Sequence, residues 1–282
     1  MGTSNLNKGP KGSSLLPSDY DGEALSGAGI YPSDDEPQDN PEKEPQDNPE
    51  EDPQNNPEVQ KPALQKTWTT AKKTFGSQIG RTNPHVGHIG KNYVRALGGH
   101  KRAAGSVPSA RKITSGIIYL FSGAPSDVKR KLTELGISYE GKTTKEVFND
   151  IFRILRTGAG TNEETIADSA LGDTINDLLE SDLYSEDLDE TLNKGLLDFL
   201  VANYLKNSIF KKLLTELAYA ELTINKTYDE IQSLEDNLME YISGICKTIV
   251  SGKLHDNVNE TEIKNLSNIL YETCYKVMEG MK

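Results

Sequence analysis

The sequence predicts an all-α fold, a helical bundle-like domain over residues 113–282 preceded by a long disordered amino-terminal arm. Two observations set this. From about Ser109 onward, apolar side chains recur in steps of three and four, the period of one helical face, and no stretch alternates as a strand does. Residues 1–60, by contrast, hold almost no large apolar side chains beyond Leu6, Leu15, Leu16, Leu25, Ile30 and two tyrosines. Such a segment cannot bury enough surface to offset roughly 1–2 kcal/mol of backbone ordering per residue.

Within the arm an eight-residue unit runs three times, from Glu36, from Glu44 and from Asp52, each time with prolines at its second and sixth places. Two prolines per unit forbid a helix and the like charges repel, so an extended spacer is expected. Residues 61–112 then read as a basic linker rich in Gly and Arg.

The helices follow in order. Ser126 is placed to cap a helix carrying Val128, Leu132 and Leu135, with Gly136 to end it. Thr143 and Glu146 form a capping box ahead of Val147, Phe148, Ile151 and Leu155. Thr161 and Glu164 open the next, with Ile166, Ala170, Leu171, Ile175, Leu178 and Leu179. Ser185 starts a pattern of Leu188 and Leu192, and beyond Gly195 come Leu196, Phe199, Leu200, Tyr204, Leu213, Leu214 and Leu217. Thr227 begins a run through Ile231, Leu234, Leu238, Ile242, Ile245 and Ile249. The last helix carries Ile263, Leu266, Ile269, Leu270, Cys274 and Val277. A domain of this length is ample for one bundle-like core.

Charge is segregated along the chain. Residues 1–60 carry net −11, residues 61–126 hold 11 Lys and Arg with no acid, and residues 127–282 carry net −12. In the basic stretch Trp68, Phe75 and Tyr93 are interleaved with Lys72, Lys73, Arg81, Lys91, Arg95, Lys101 and Arg102. Cations for phosphates beside aromatics for stacking admit nucleic acid. The plainer reading is that this stretch packs on an acidic surface, the chain's own helical domain or a partner's.

Few motifs suggest catalysis. Gly136-Ile-Ser-Tyr-Glu-Gly141-Lys142-Thr143 fits the phosphate-cradling pattern G-x-x-x-x-G-K-[ST], but that chemistry needs a buried strand leading into the loop. Here a charged amphipathic helix precedes it, and helix stop and helix start signals explain the same residues. His85 and His88 lack the further ligands of a zinc site, and nothing groups as nucleophile, base and acid. A non-enzyme without metal or cofactor is expected. Cys246 and Cys274 sit at apolar helical positions and read as buried thiols. Without a signal peptide or a spanning apolar run, the cytoplasm is the expected compartment.

Removal of Met1 before the small Gly2 leaves a free, unhindered α-amine, whose pKa near about 8 gives a useful neutral fraction. Leu6 stands where N-myristoylation wants Ser or Thr, which argues against a lipid. Met1-Gly2-Thr3-Ser4, Gly9-Pro10 and Leu15-Leu16-Pro17 together resemble the amino-terminal signature of QatB-type proteins of the Qat bacterial anti-phage system. Tyr93 to His100, Ala103 to Ser106 and Ala110 to Ile113 are similar to that family's Gly- and Arg-rich stretch, as are the helical order from Ile151 and the ending Tyr271 to Glu279. Ser18-Asp19-Tyr20 departs from the Trp-Ala usual after the leucine-proline step.

The resemblance implies a non-catalytic component of a defence complex containing an ATPase, a QueC-like enzyme and a TatD-like nuclease. Gly2 is then the acceptor of a 7-deazaguanine group joined by the QueC-like partner. Thr3, Ser4, Gly9, Pro10, Leu15, Leu16 and Pro17 become its recognition elements. Two other readings are a nucleic-acid-binding accessory protein using residues 61–112, and a self-associating structural protein of a phage or mobile element.

Overall fold

The computed structural model describes residues 61–158, 160–192, 195–218, 225–251, 253–254 and 260–280. The amino-terminal signature, the proline repeats and the arm as a whole lie outside the described residues. Eleven helices are seen among the described residues, with no strand: α1 Lys61–Gln78, α2 Val86–Ala96, α3 His100–Gly105, α4 Pro108–Phe121, α5 Pro125–Glu134, α6 Thr144–Leu155, α7 Asn162–Leu179, α8 Leu188–Thr191, α9 Leu196–Leu217, α10 Tyr228–Val250 and α11 Glu260–Gly280.

Helix α9 is the axis of the bundle. It packs against α4, α7 and α10 and touches α1, while α11 lies across α2, α3 and α4 and also meets α10. A helix surrounded this way must be apolar nearly all round. Leu200, Val201, Tyr204, Leu205, Ile209, Leu213 and Leu217 are all buried, on every side of it. Its central polar residues are answered by neighbouring side chains. Asn207 Nδ2 donates to Thr174 Oγ1 at 3.1 Å and to Asp177 Oδ2 at 2.9 Å, and Lys206 Nζ donates to the same Asp177 oxygen at 2.8 Å. Ser208 Oγ lies 2.6 Å from the Tyr271 hydroxyl of α11.

The segment expected to be a basic linker is helical and built into this core. Trp68, Ala71 and Phe75 of α1, Ile79 in the turn after it, and Ile89, Tyr93 and Val94 of α2 are buried. Helix α4 runs without a break through the boundary expected at residue 113. The apolar spacing of Trp68, Ala71 and Phe75, then Ile89, Tyr93 and Ala96, is helical; the glycines and cations between them obscure it.

The capping boxes expected at Thr143 and Thr161 form, and Thr227, expected only as a helix start, carries a third. Thr143, Thr161 and Thr227 each accept from the backbone N–H three residues on, and Glu146, Glu164 and Glu230 reach back to the N–H of those threonines. The backbone N–H groups hold all three carboxyls below the usual glutamate range, for Glu164 first the N–H of Gly160 and then that of Thr161. Gly136 ends α5 with φ +74°, the left-handed geometry that favours glycine. Two expected starts shift. Ala124, not Ser126, precedes α5, with Asp127 accepting from its N–H at 3.3 Å, and Asp187 rather than Ser185 caps the four-residue α8. Leu135, Ile269 and Val277, expected inside, are exposed. In α11 the buried stripe is Ile263, Ser267, Leu270, Tyr271, Cys274, Tyr275 and Met278, because the neighbouring helices α2, α3, α4 and α10 lie on that side.

At the inner side of α9, Lys212 Nζ donates to Glu216 Oε1 at 2.7 Å, with side-chain exposures of only 4% and 6%. The Tyr93 hydroxyl of α2 donates to the other carboxylate oxygen, Oε2, at 2.6 Å. Burial, and then the Glu216 charge, push the Tyr93 phenol well above its ordinary range, so it stays a donor. Removing one member of a buried ion pair leaves a charge in a site without water. Lys212→Met is therefore expected to lower unfolding free energy by about 3–5 kcal/mol, read from urea denaturation. The double variant Lys212→Met with Glu216→Leu is expected to recover much of that loss.

Candidate functional site

The candidate surface is the acid-free stretch and what holds it. Among the described residues, the aromatics proposed for base stacking are not on the surface: Trp68 is 8% exposed, Phe75 1% and Tyr93 0%. Trp68 and Tyr93 meet edge to face with centroids 6.2 Å apart, and Tyr93 has its hydroxyl on Glu216. The cations are outside. Lys73, Arg81, Arg95, Lys101 and Arg102 are exposed, and Lys72 and Lys91 half-buried. Long basic side chains on amphipathic helices turn outward as their apolar neighbours turn in.

What fastens this stretch is carboxylate from later in the chain. Helices α3 and α4 begin at Gly99 and Val107, neither of which supplies a side-chain cap. Glu279 of α11 accepts from the His100 N–H at 3.2 Å, and its Oε2 lies 2.6 Å from His100 Nδ1. Glu163 of α7 accepts from the Ser109 N–H at 3.1 Å and the Ala110 N–H at 3.3 Å. These glutamates do for α3 and α4 what a capping Asp or Ser does within one helix. Helix α2 is served from inside the stretch, Gln78 Oε1 accepting from the His85 N–H at 2.8 Å. The stretch thus packs on the chain's own later helices through backbone N–H groups, the His100 ring and buried apolar side chains, while its cations stay outside.

The loop that matches the phosphate-cradling pattern is delivered by α5, a helix. Lys142 Nζ pairs with Asp150 Oδ2 at 2.6 Å, and Glu146 occupies the first amide of the following helix start. His85 and His88 stack with centroids 5.5 Å apart, and among the described residues no group of three His, Cys, Asp or Glu is arranged to hold a metal. Cys246 of α10 and Cys274 of α11 are free and fully buried, their sulfurs 3.9 Å apart. Their mutual hydrogen bond, and then burial, push the Cys246 thiol up.

Sequence reasoning missed an open groove of about 630 Å³ along α10, closed at its sides by Val86 of α2 and Val277 of α11. Tyr241, Ile245 and Ile249 line it, and Glu240 and Thr248 stand at its rim. The Tyr241 hydroxyl is buried without a partner, and burial pushes it up to about 12. Glycine at 244, in the middle of a helical face, was the available signal. No helix among the described residues is long and apolar enough to cross a membrane.

Fold and surface define the class: an all-α protein whose acid-free first helices are clamped by carboxylates from those that follow. Residues 98–278 match the family model described as Qat anti-phage system associated protein QatB, and the chain belongs to the QatB family. No curated protein and no solved structure matches it. The matched span opens at the α2–α3 junction and closes on Met278, so Glu279 lies just beyond it and α1 and α2 precede it.

The Glu279 clamp gives a signed pH dependence. The hydrogen bond from the His100 ring, then that from its N–H, hold the Glu279 carboxyl below its ordinary range. A depressed carboxyl stabilises the fold fully above its unfolded value of about 4.3, and that contribution is lost as pH falls through the folded value. Glu279→Gln is therefore expected to be less stable than the parent chain at neutral pH. In urea titrations the gap should close as pH drops below about 4.

Proposed function

We propose that the chain is the non-catalytic acceptor component of a Qat defence complex. Its amino-terminal Gly2, freed by removal of Met1, condenses through its α-amine with the carboxyl of a 7-carboxy-7-deazaguanine. A QueC-like partner enzyme activates that carboxyl with ATP; the amide C–N bond forms as the ATP-derived activating group leaves and the amine gives up a proton. The observation that carries this is the coincidence of QatB family membership with the Met1-Gly2-Thr3-Ser4 signature on one chain. Thr3, Ser4, Gly9, Pro10, Leu15, Leu16 and Pro17 serve as the elements that the enzyme reads. The helical body binds another component of the system, the ATPase or the TatD-like nuclease, and the apolar groove on α10 offers such a partner a concave face.

Two features support the reading. Among the described residues, deeply buried titratable groups such as Lys212, Glu216 and Tyr93 are spent on structure. The first described helix is rooted in the core by Trp68, Ala71 and Phe75, which gives the arm a fixed point of departure.

The test is the mass of the amino-terminal peptide after co-expression with the QueC-like gene of the same system. A gain matching one amide-linked deazaguanine on Gly2, absent in Gly2→Pro, is the expected result. An unmodified Gly2 in the presence of active enzyme would sink the acceptor role.

A second reading keeps a specific observation in its favour, the outward-facing cations of α1 to α3. It is a weak, sequence-independent contact with nucleic acid through phosphates alone, since the aromatics are buried. Under it, joint replacement of Lys73, Arg95 and Lys101 by Glu abolishes binding to a DNA duplex. Fluorescence of the single tryptophan, Trp68, is expected to stay unquenched as duplex is added.

A further inference from the structure

The groove along α10 has a composition that narrows what can fill it. Asn237, Tyr241, Gly244 and Thr248 recur in steps of three and four, so one face of a single helix forms the floor. Tyr241, Ile245 and Ile249 with Val86 and Val277 make it apolar, and Glu240 is the one charge among the described residues that line it. The Tyr241 hydroxyl is closed to solvent and lies toward Gly90 of α2, so the groove receives the ring and not the hydroxyl. Gly244 leaves α10 bare at mid-length, where a side chain would start with nothing within 4 Å of it. An occupant is therefore held by apolar burial, with an acidic rim beside it.

The amino-terminal arm supplies a matching segment. Residues 1–18 hold Lys8 and Lys11 and no acid, whereas from Asp19 to Gln60 Lys43 is the lone base among carboxylates. Leu15-Leu16-Pro17 therefore couples an apolar pair to positive charge, complementary to a groove rimmed by Glu240. Ile30-Tyr31, the arm's other apolar pair, stands just before Asp34, Asp35 and Glu36, which that rim repels. Distance is no bar. Helix α1 leads from Lys61 over about 27 Å to the turn before α2, and Val86 at the start of α2 is a groove wall. The stretch from Ser18 to Gln60 has several times that contour length.

We propose that the α10 groove is the docking site of the chain's own Leu15-Leu16-Pro17 segment, with Lys8 and Lys11 toward Glu240. Tethering holds the pair at an effective concentration on the order of a millimolar, so a contact of two leucines is enough to keep it seated. Docked, the pair is withheld from any enzyme that reads it, and another protein that takes the groove releases it. The docking stands apart from the acceptor role of Gly2; only this consequence rests on that reading.

The test is disulfide trapping in the full chain. Ser14→Cys beside the leucine pair is combined with Thr248→Cys on the rim, and diamide is added; the native Cys246 and Cys274 are buried away from the reagent. A freely moving arm closes its shorter loops sooner, so Ser33→Cys with Thr248→Cys would then react the faster. Docking reverses that order, and trapping from Ser14→Cys is expected to be the quicker and to occur within single chains. Leu15→Ser joined to Leu16→Ser should slow it about tenfold or more, the worth of burying one such side chain. Gly244→Leu fills the groove without disturbing the core and is expected to slow it as much, in a protein of unchanged helicity. Faster trapping from Ser33→Cys, a disulfide formed only between copies, or an unchanged rate in either variant would each overturn the proposal.

Discussion

The stretch from Lys61 to Ser126 must fold without a single carboxylate side chain of its own, and the rest of the architecture follows from how that need is met. Helix starts leave N–H groups that want acceptors, and a buried phenol wants one too. The acceptors come from far along the chain: Glu163 from α7, Glu216 from α9 and Glu279 from α11. Each contact joins an early helix to a late one, so the pairing selects one docking of α2, α3 and α4 on the bundle. Apolar burial alone would tolerate several, because hydrophobic contact is not directional.

The same logic explains why α9 tolerates charge at its centre. It has neighbours on all sides, so a lysine or glutamate there cannot reach water. Lys212 and Glu216 stand one turn apart and neutralise each other, and Tyr93 satisfies the oxygen that is left. Replacing the trio by well-packed hydrophobic residues need not weaken the fold. The bond from Tyr93 to Glu216 ties α2 to α9 at that one point. Asp177 does similar work toward α7, accepting from both Lys206 and Asn207.

From α5 onward the fold was legible in the sequence, because capping boxes and three-four periodicity are local signals. Thr143, Thr161 and Thr227 sit where the patterns put them. Residues 61–112 were not legible as core, for a physical reason. Their helices are short or glycine-bearing and start without caps of the usual kind, so the stabilising partners lie outside any local window. High charge was read as solvent exposure and aromatics among cations as a binding face, yet Trp68, Phe75 and Tyr93 point inward. Ile269 and Val277 misled in the opposite sense. Apolar spacing marks a stripe, and only the neighbours decide which edge of the stripe is covered. The groove on α10 depends on three helices meeting, α2, α10 and α11, and no pattern within one helix announces such a juxtaposition.

The position of the core start bears on how the proposed acceptor would be recognised. The family model begins at residue 98, but burial of Trp68, Phe75, Ile89 and Tyr93 extends the folded unit back into α1. Read as the extended spacer that its prolines predict, the stretch from Ser18 to Gln60 would reach up to about 130 Å, at about 3.1 Å per residue. Such a spacer would raise the local concentration of a terminal glycine near whatever the helical body binds without orienting it. Under the acceptor reading, selection of Gly2 must then come from residues next to it, Thr3, Ser4, Gly9 and Pro10 and the leucine pair before Pro17. The body's share would be proximity. On that division of labour, changes in the length of the proline repeat alter the rate of modification gradually, while changes between Gly2 and Pro17 abolish it.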